Sequence, residues 1–250
     1  MASQELTDTT ALVTGAGRGF GRATTVALHN AGANVVAVAR NTQQLDELRD
    51  ELGDSLTTVS ADVADPVVAG SLLAQYQPKT LVLNAGASPL MRPIQHHTWD
   101  TFNRNWEVDV RQAFHWIREA LLLPLAPQST VIALSSGAAL FGSPLSGGYA
   151  GAKATIRFIT AYAADESARA ELGIRFVSLL PKPTPATDLG ASAVTAYAAR
   201  AGITVDEYLD KLGPGPDPVQ IGRHMVDLAS SPDRLPSAYL LTAQGLSPTP

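Results

Sequence analysis

Tyr149 and Lys153 stand four residues apart in the segment YAGAK, a spacing that sets both side chains on one face of a helix, about one turn apart. A phenol with its ordinary pKa of about 10 is a weak acid near neutrality and is too rarely ionised to be a good base. A neighbouring ammonium corrects this by stabilising the phenolate, each pKa unit amounting to about 1.4 kcal/mol. The pair is therefore suited to moving a proton. A tyrosine packed at a helix start beside a solvated lysine would have the same spacing, so the motif needs company. Thr14-Gly15-Ala16-Gly17-Arg18-Gly19-Phe20-Gly21 supplies some, running from the apolar ALVT into the helical RATTVALHNAG. Glycines between a strand and a helix let the backbone turn sharply and approach a pyrophosphate, whose charge then meets the N–H groups and positive end of the helix. A strict GxGxxG does not fit, because the glycines fall at 15, 17, 19 and 21.

Dinucleotide-binding folds that take NAD place an acidic residue about 20 positions further on, against the ribose 2′-hydroxyl. Here that position reads Ala39-Arg40. A guanidinium offers a 2′-phosphate a bidentate clamp, and Arg18 can approach the same phosphate from the glycine turn. The sequence thus favours NADP(H) over NAD(H).

The elements that must position these residues are legible as alternation. The apolar runs ALVT (11–14), NVVAVA (34–39), SLTTVS (55–60), KTLVLN (79–84), STVIALSS (129–136) and IRFVSLL (174–180) alternate with helical patterns near 19–31, 42–52, 66–76, 98–123 and 149–171. Runs that are apolar throughout suit parallel strands covered on both faces. The expected fold is α/β, a doubly wound Rossmann-type parallel sheet in a single domain over residues 1–250. Thr42 and Asp65-Pro66 are expected to start the second and third helices. Trp99, Phe102, Trp106, Phe114 and Trp116 give the fourth helix a large apolar face, to pack on the sheet or on another subunit. Residues 183–216 carry proline and glycine at both ends and suggest a hinged flap.

A net charge of −5 and a pI near 5.5 leave no basic footprint for a nucleic acid. No leader pattern opens MASQELTDTT and no run reaches the ~20 apolar residues of a membrane span, so a cytoplasmic protein is expected. The chain has no cysteine, and His96-His97 lacks a second cluster in register, so no metal site is expected.

Further motifs fall in a fixed order. The turn matches TGxxxGxG better than GxGxxG, Ala61-Asp62-Val63 follows the third strand, and Asn84-Ala85-Gly86 ends the fourth. Ser136 stands 13 residues before Tyr149, at the end of the fifth strand. Together, across residues 10–180, they resemble the short-chain dehydrogenase/reductase family. The resemblance implies hydride transfer to or from a carbonyl carbon, with Tyr149 as proton donor or acceptor, Lys153 tuning the phenol and holding the nicotinamide ribose, and Ser136 orienting the substrate oxygen. It also implies that Gly15, Arg18, Gly19, Phe20 and Gly21 lie along the cofactor phosphates, Asp62 and Val63 by the adenine, and Asn84, Ala85 and Gly86 beneath the cofactor. A homodimer or homotetramer is implied as well, together with a small, largely apolar carbonyl or alcohol substrate near Ser88, Pro89, Leu90, Met91, Leu140 and Phe141. An isomerase or dehydratase with bound nicotinamide, and a non-catalytic NADP(H) sensor, are the alternatives on the same fold.

Two departures stand out. Asp109, in Glu107-Val108-Asp109-Val110, occupies a position where the family carries a catalytic Asn. A carboxylate facing Lys153 would pair with the ammonium and weaken its pull on the tyrosine. After the sixth strand, Pro181-Lys182-Pro183-Thr184-Pro185-Ala186-Thr187 replaces a PG-then-Thr pattern and is one residue longer, leaving Thr184 and Thr187 as alternatives for the cofactor contact.

Overall fold

All six apolar runs become parallel strands in the computed structural model, which describes residues 6–231 and 236–249. In chain order they are β1 (Thr10–Thr14), β2 (Asn34–Ala39), β3 (Thr57–Ser60), β4 (Thr80–Leu83), β5 (Thr130–Leu134) and β6 (Arg175–Pro181). The intervening helices are α1 (Gly19–Asn30), α2 (Thr42–Leu52), α3 (Pro66–Tyr76), α4 (Trp99–Asn105), α5 (Arg111–Leu122), the single turn α6 (Ala138–Phe141) and α7 (Tyr149–Arg169). After β6 come α8 (Asp188–Ala201), α9 (Val205–Leu212) and α10 (Pro218–Ser230). The C-terminal SAYLLTAQGLSP folds into β7 (Ala238–Thr242), parallel to β6, and β8 (Gly245–Pro248), which turns back antiparallel. The sheet order is β3-β2-β1-β4-β5-β6-β7-β8. This is the doubly wound arrangement, with its order reversing between β1 and β4.

Alternation along the strands divides the core. Ala11, Val13, Val35 and Ala37 face the layer of α1, α2 and α10, where Leu28, Leu45, Leu48, Ile221 and Met225 are buried. Leu12, Val36, Val38, Leu81 and Val131 face the layer of α3, α5 and α7, with Leu72, Leu73, Trp116, Ile117 and Ile156. Each fully buried aliphatic side chain of this size contributes about 1.5–3 kcal/mol.

Local signals were partly met. Asp65 caps α3, accepting from Val67 N–H at 2.8 Å ahead of Pro66. At α2 the cap is Asn41, not Thr42. The Asn41 amide oxygen accepts from Gln44 N–H at 3.2 Å, while Thr42 is the first helical residue. The helix expected over 98–123 is interrupted by a wide π turn at Trp106–Val110, between α4 and α5. Its aromatic residues divide accordingly. Trp116 is fully buried, its indole N–H donating to Val63 O at 2.9 Å, whereas Trp99 is 70% and Phe114 49% exposed. No helix among the described residues is long and apolar enough to cross a membrane.

Candidate active site

The reversal point between β1 and β4 is stapled by side chains. Thr14 Oγ1 donates to Val82 O and accepts from the N–H groups of Asn84 and Ala85, at 3.2, 3.0 and 3.2 Å. Asn84 Nδ2 returns two bonds, to Thr14 O and Gly15 O, both at 3.1 Å. A cleft of about 860 Å³ opens here, at the carboxyl ends of the strands. Gly15 has φ +67°, and a Cβ on it would lie 2.7 Å from Ala85 Cα. Gly15, Arg18, Gly19, Phe20, Asn84, Ala85 and Gly86 line the cleft. Gly21 does not. A Cβ there would come 2.1 Å from Gly15 O, so this glycine lets α1 pack closely against the turn.

The start of α1 suits an anion. Asn41, Asp65 and Asp217 cap α2, α3 and α10 with side-chain oxygens, but Arg18 makes no side-chain cap on α1. The first N–H groups of that helix therefore face the cleft without an internal acceptor. Arg40, at the end of β2, lines the same cleft, is exposed and makes no ion pair among the described residues. Arg18 is different, since its guanidinium bonds the Asp188 carboxylate at the start of α8 across 2.9 Å, both side chains being largely exposed. Asp62 and Val63 lie on the wall below, Asp62 accepting from Ala64 N–H at 3.0 Å. The cleft thus presents an uncapped helix start and an unpaired cation where a dinucleotide's phosphates would lie.

Ser136, Tyr149 and Lys153 meet on the opposite wall. Lys153 is nearly inaccessible and is tied to the end of β5 at both its backbone and its side chain. Ser135 Oγ donates to Lys153 O at 2.7 Å, and Lys153 Nζ donates to Leu134 O at 3.1 Å. Nζ lies 5.6 Å from the Tyr149 ring centre. Ser136 Oγ accepts from Ala138 N–H at 3.2 Å.

Asp109 is the decisive departure. The π turn directs its carboxylate inward, where it is fully buried, 3.1 Å from Lys153 Nζ. One oxygen accepts from Ala87 N–H at 2.8 Å. Asn105, one helical turn earlier, approaches both oxygens at 3.5 Å while donating to Ala87 O at 2.6 Å. A Cβ on Gly86 would stand 2.9 Å from Asp109 Oδ2, so the NAG segment accommodates this carboxylate through its glycine. Burial by itself lowers the Lys153 pKa, but the facing Asp109 carboxylate, with Tyr149 adding to it, outweighs burial and holds the pKa above its ordinary value. The ammonium is therefore shared with the Asp109 carboxylate, the pairing the sequence anticipated for a carboxylate facing it.

Beyond β6, Lys182 is exposed at the rim, and Thr184 is buried on the cleft wall. Thr187 caps α8, accepting from Gly190 N–H at 3.1 Å. Sequence reasoning missed two cleft residues on α8 and α9, Tyr197 and Tyr208, whose rings stack with centroids 6.2 Å apart and planes 11° apart. Tyr197 lies in the alanine-rich ASAVTAYAARA and Tyr208 in TVDEYLDKL, and no motif marks either for the cleft.

A doubly wound sheet with a glycine turn at its reversal point, and Ser, Tyr and Lys on the facing wall, defines a Rossmann-type oxidoreductase. The chain belongs to the short-chain dehydrogenase family, whose profile, described as "short chain dehydrogenase", matches residues 9–198. Bos taurus L-xylulose reductase is 31% identical over 70% of this chain and 72% of that one. A 12alpha-hydroxysteroid dehydrogenase of Clostridium sp. is 28% identical over 94% of this chain and 95% of its own. The match to L-xylulose reductase of Mesocricetus auratus is 41% identical but spans only 41% of that protein. Among solved structures, levodione reductase superposes with a TM-score of 0.83 at 20% identity, over 95% of this chain and 97% of that one. NAD+-bound xylitol dehydrogenase gives 0.82 at 20%, over 95% and 99%. At such identities the likeness is one of fold.

Proposed function

We propose that the protein is an NADP(H)-dependent reductase of ketones, working in reverse as a secondary-alcohol dehydrogenase. The observation that carries this reading is the placement of Ser136, Tyr149 and Lys153 on the wall facing the bare start of α1 and the unpaired Arg40. Held along the glycine turn and by Lys153, a bound nicotinamide would supply or accept the hydride at the substrate carbon. The chain's residues do the rest. The Ser136 hydroxyl donates to the carbonyl oxygen, and Tyr149 O–H passes its proton to that oxygen as the carbon is reduced. Lys153, with two donors engaged by Leu134 O and Asp109, has a third for the Tyr149 oxygen or the ribose. Met91, Phe141, Leu189, Val194 and Leu212 line the remaining cleft, which suits a largely apolar substrate. The segment over 183–216, holding α8 and α9, is the flap that encloses it. Loss of NADPH absorbance over a panel of ketones, quinones and keto-esters tests the reading. Net consumption supports it, whereas product formed without consumption identifies an isomerase.

Cofactor choice follows from Arg40. Wild type is expected to prefer NADP(H) at least tenfold, a difference Arg40→Ala should abolish, because a bidentate guanidinium–phosphate contact is worth roughly 1.5–3 kcal/mol. Equal affinities of the wild type for NADPH and NADH, measured by fluorescence titration, would overturn this. We also propose that a second copy covers the face shared by the adjoining helices α5 and α7. Phe114, Phe158 and Tyr162 are exposed there, the last two stacked. Phe158→Lys is expected to shift the sedimenting species toward monomer. An unchanged distribution would count against this interface.

A further inference from the structure

The loop from Gly142 to Gly148, which leads directly into Tyr149, is held from two sides. One side is the chain after β4 and α4. Arg92 N–H donates to Leu145 O at 2.7 Å, Arg92 and Ser146 form a parallel bridge, and Gly148 N–H donates to Phe102 O at 3.2 Å. The other side is α8. The Tyr197 hydroxyl lies 2.7 Å from Ser143 Oγ and accepts from Leu145 N–H at 3.2 Å. Its ring is backed by Tyr208, whose phenol burial pushes to a higher pKa.

Building on the function proposed above, we infer that Tyr197 is a positioning and specificity residue. Its phenol latches α8 onto the loop that carries Tyr149, so covering of the substrate and placement of the proton donor become one event. The latch also sets the substrate class. Ser143 Oγ and Leu145 N–H, which could have bound substrate hydroxyls, are occupied by Tyr197, and the neighbouring wall is Met91, Phe141, Leu189, Val194 and Leu212. With Ser143 Oγ and Leu145 N–H engaged, a polyhydroxylated ketone has fewer partners on this stretch of wall, and each hydroxyl left unpaired there is penalised. A ketone carrying an aromatic or alicyclic ring buries its flat apolar body there without that loss.

Tyr197→Phe removes both hydrogen bonds and keeps the ring on Tyr208. With NADPH as reductant, we expect wild type to reduce an aryl or bicyclic ketone at least 100-fold more efficiently than an open-chain ketopentose. In Tyr197→Phe, kcat/KM for the ring ketone should fall about tenfold, with loss in both kcat and KM. The value for the ketopentose should hold or rise, and NADPH affinity by fluorescence titration should stay within twofold. A general structural defect would depress both substrates together. Equal loss on the two substrates, or no loss on the ring ketone, overturns the latch. A wild type preferring the ketopentose overturns the substrate class. Failure of the underlying reductase reading would show separately, as a wild type that consumes no NADPH with any carbonyl.

Discussion

Tyr149→Phe should lose about 10²- to 10⁴-fold in kcat, the contribution expected of a positioned general acid. The substitution is conservative in every other respect. The Tyr149 hydroxyl makes no hydrogen bond to a described residue, and its ring sits in the first turn of α7 over Lys153. Folding and NADPH affinity should therefore be unchanged, which confines the loss to proton transfer. Stopped-flow turnover beside a fluorescence titration of NADPH separates the two. Retention of more than a few per cent of kcat would remove Tyr149 from the acid role, and weakened NADPH binding would assign it to cofactor positioning instead.

Asp109 gives the second large effect, different in kind for two substitutions. Asp109→Leu leaves the Lys153 ammonium buried with Leu134 O as its one remaining strong partner among the described residues. Breaking a buried pair in this way costs about 3–5 kcal/mol, a fall of roughly 6–20 °C in Tm for a chain of this size. Asp109→Asn keeps the shape and can still accept from Ala87 N–H, but removes the charge. The variant should remain active, with the ascending, acid-side limb of kcat/KM for alcohol oxidation displaced about one unit toward lower pH, because losing a nearby anion favours deprotonation at the reacting site. Coincident profiles for wild type and Asp109→Asn would refute this. Stability responds over a different window. Lys153 has a raised folded pKa, so its contribution is complete below the ordinary lysine value of about 10.4 and is lost as pH climbs through the folded one. Melts of the wild type should therefore show no Lys153-dependent change between about pH 6 and 9.

The sheet was legible because a parallel strand buried on both faces needs an unbroken apolar run, and NVVAVA and STVIAL can hardly be anything else. The turn at Gly15–Gly21 and the Ser136, Tyr149, Lys153 set were legible for a related reason: their chemistry ties residue type to position, and the cleft does bring them together. Asp109 was legible only as a condition. Whether its carboxylate met Lys153 depended on one extra residue in a helical turn, and a regular helix of the same sequence would aim it elsewhere. The Arg18–Asp188 pair and the Tyr197 contacts join segments about 170 and 54 residues apart, which no local pattern encodes. Capping by Asn41 in place of Thr42 is the smallest of these differences, since either residue type can accept from the helix start and only the entry angle of the chain decides.

The short hairpin at the C-terminus sets a limit on growth. β8 is four residues long, ends in Pro248 and covers the flank of β7. A proline has no N–H to offer a further strand, and so brief an edge gives a neighbouring molecule little to template on. Extension of the sheet from one molecule into the next is thereby disfavoured at this edge.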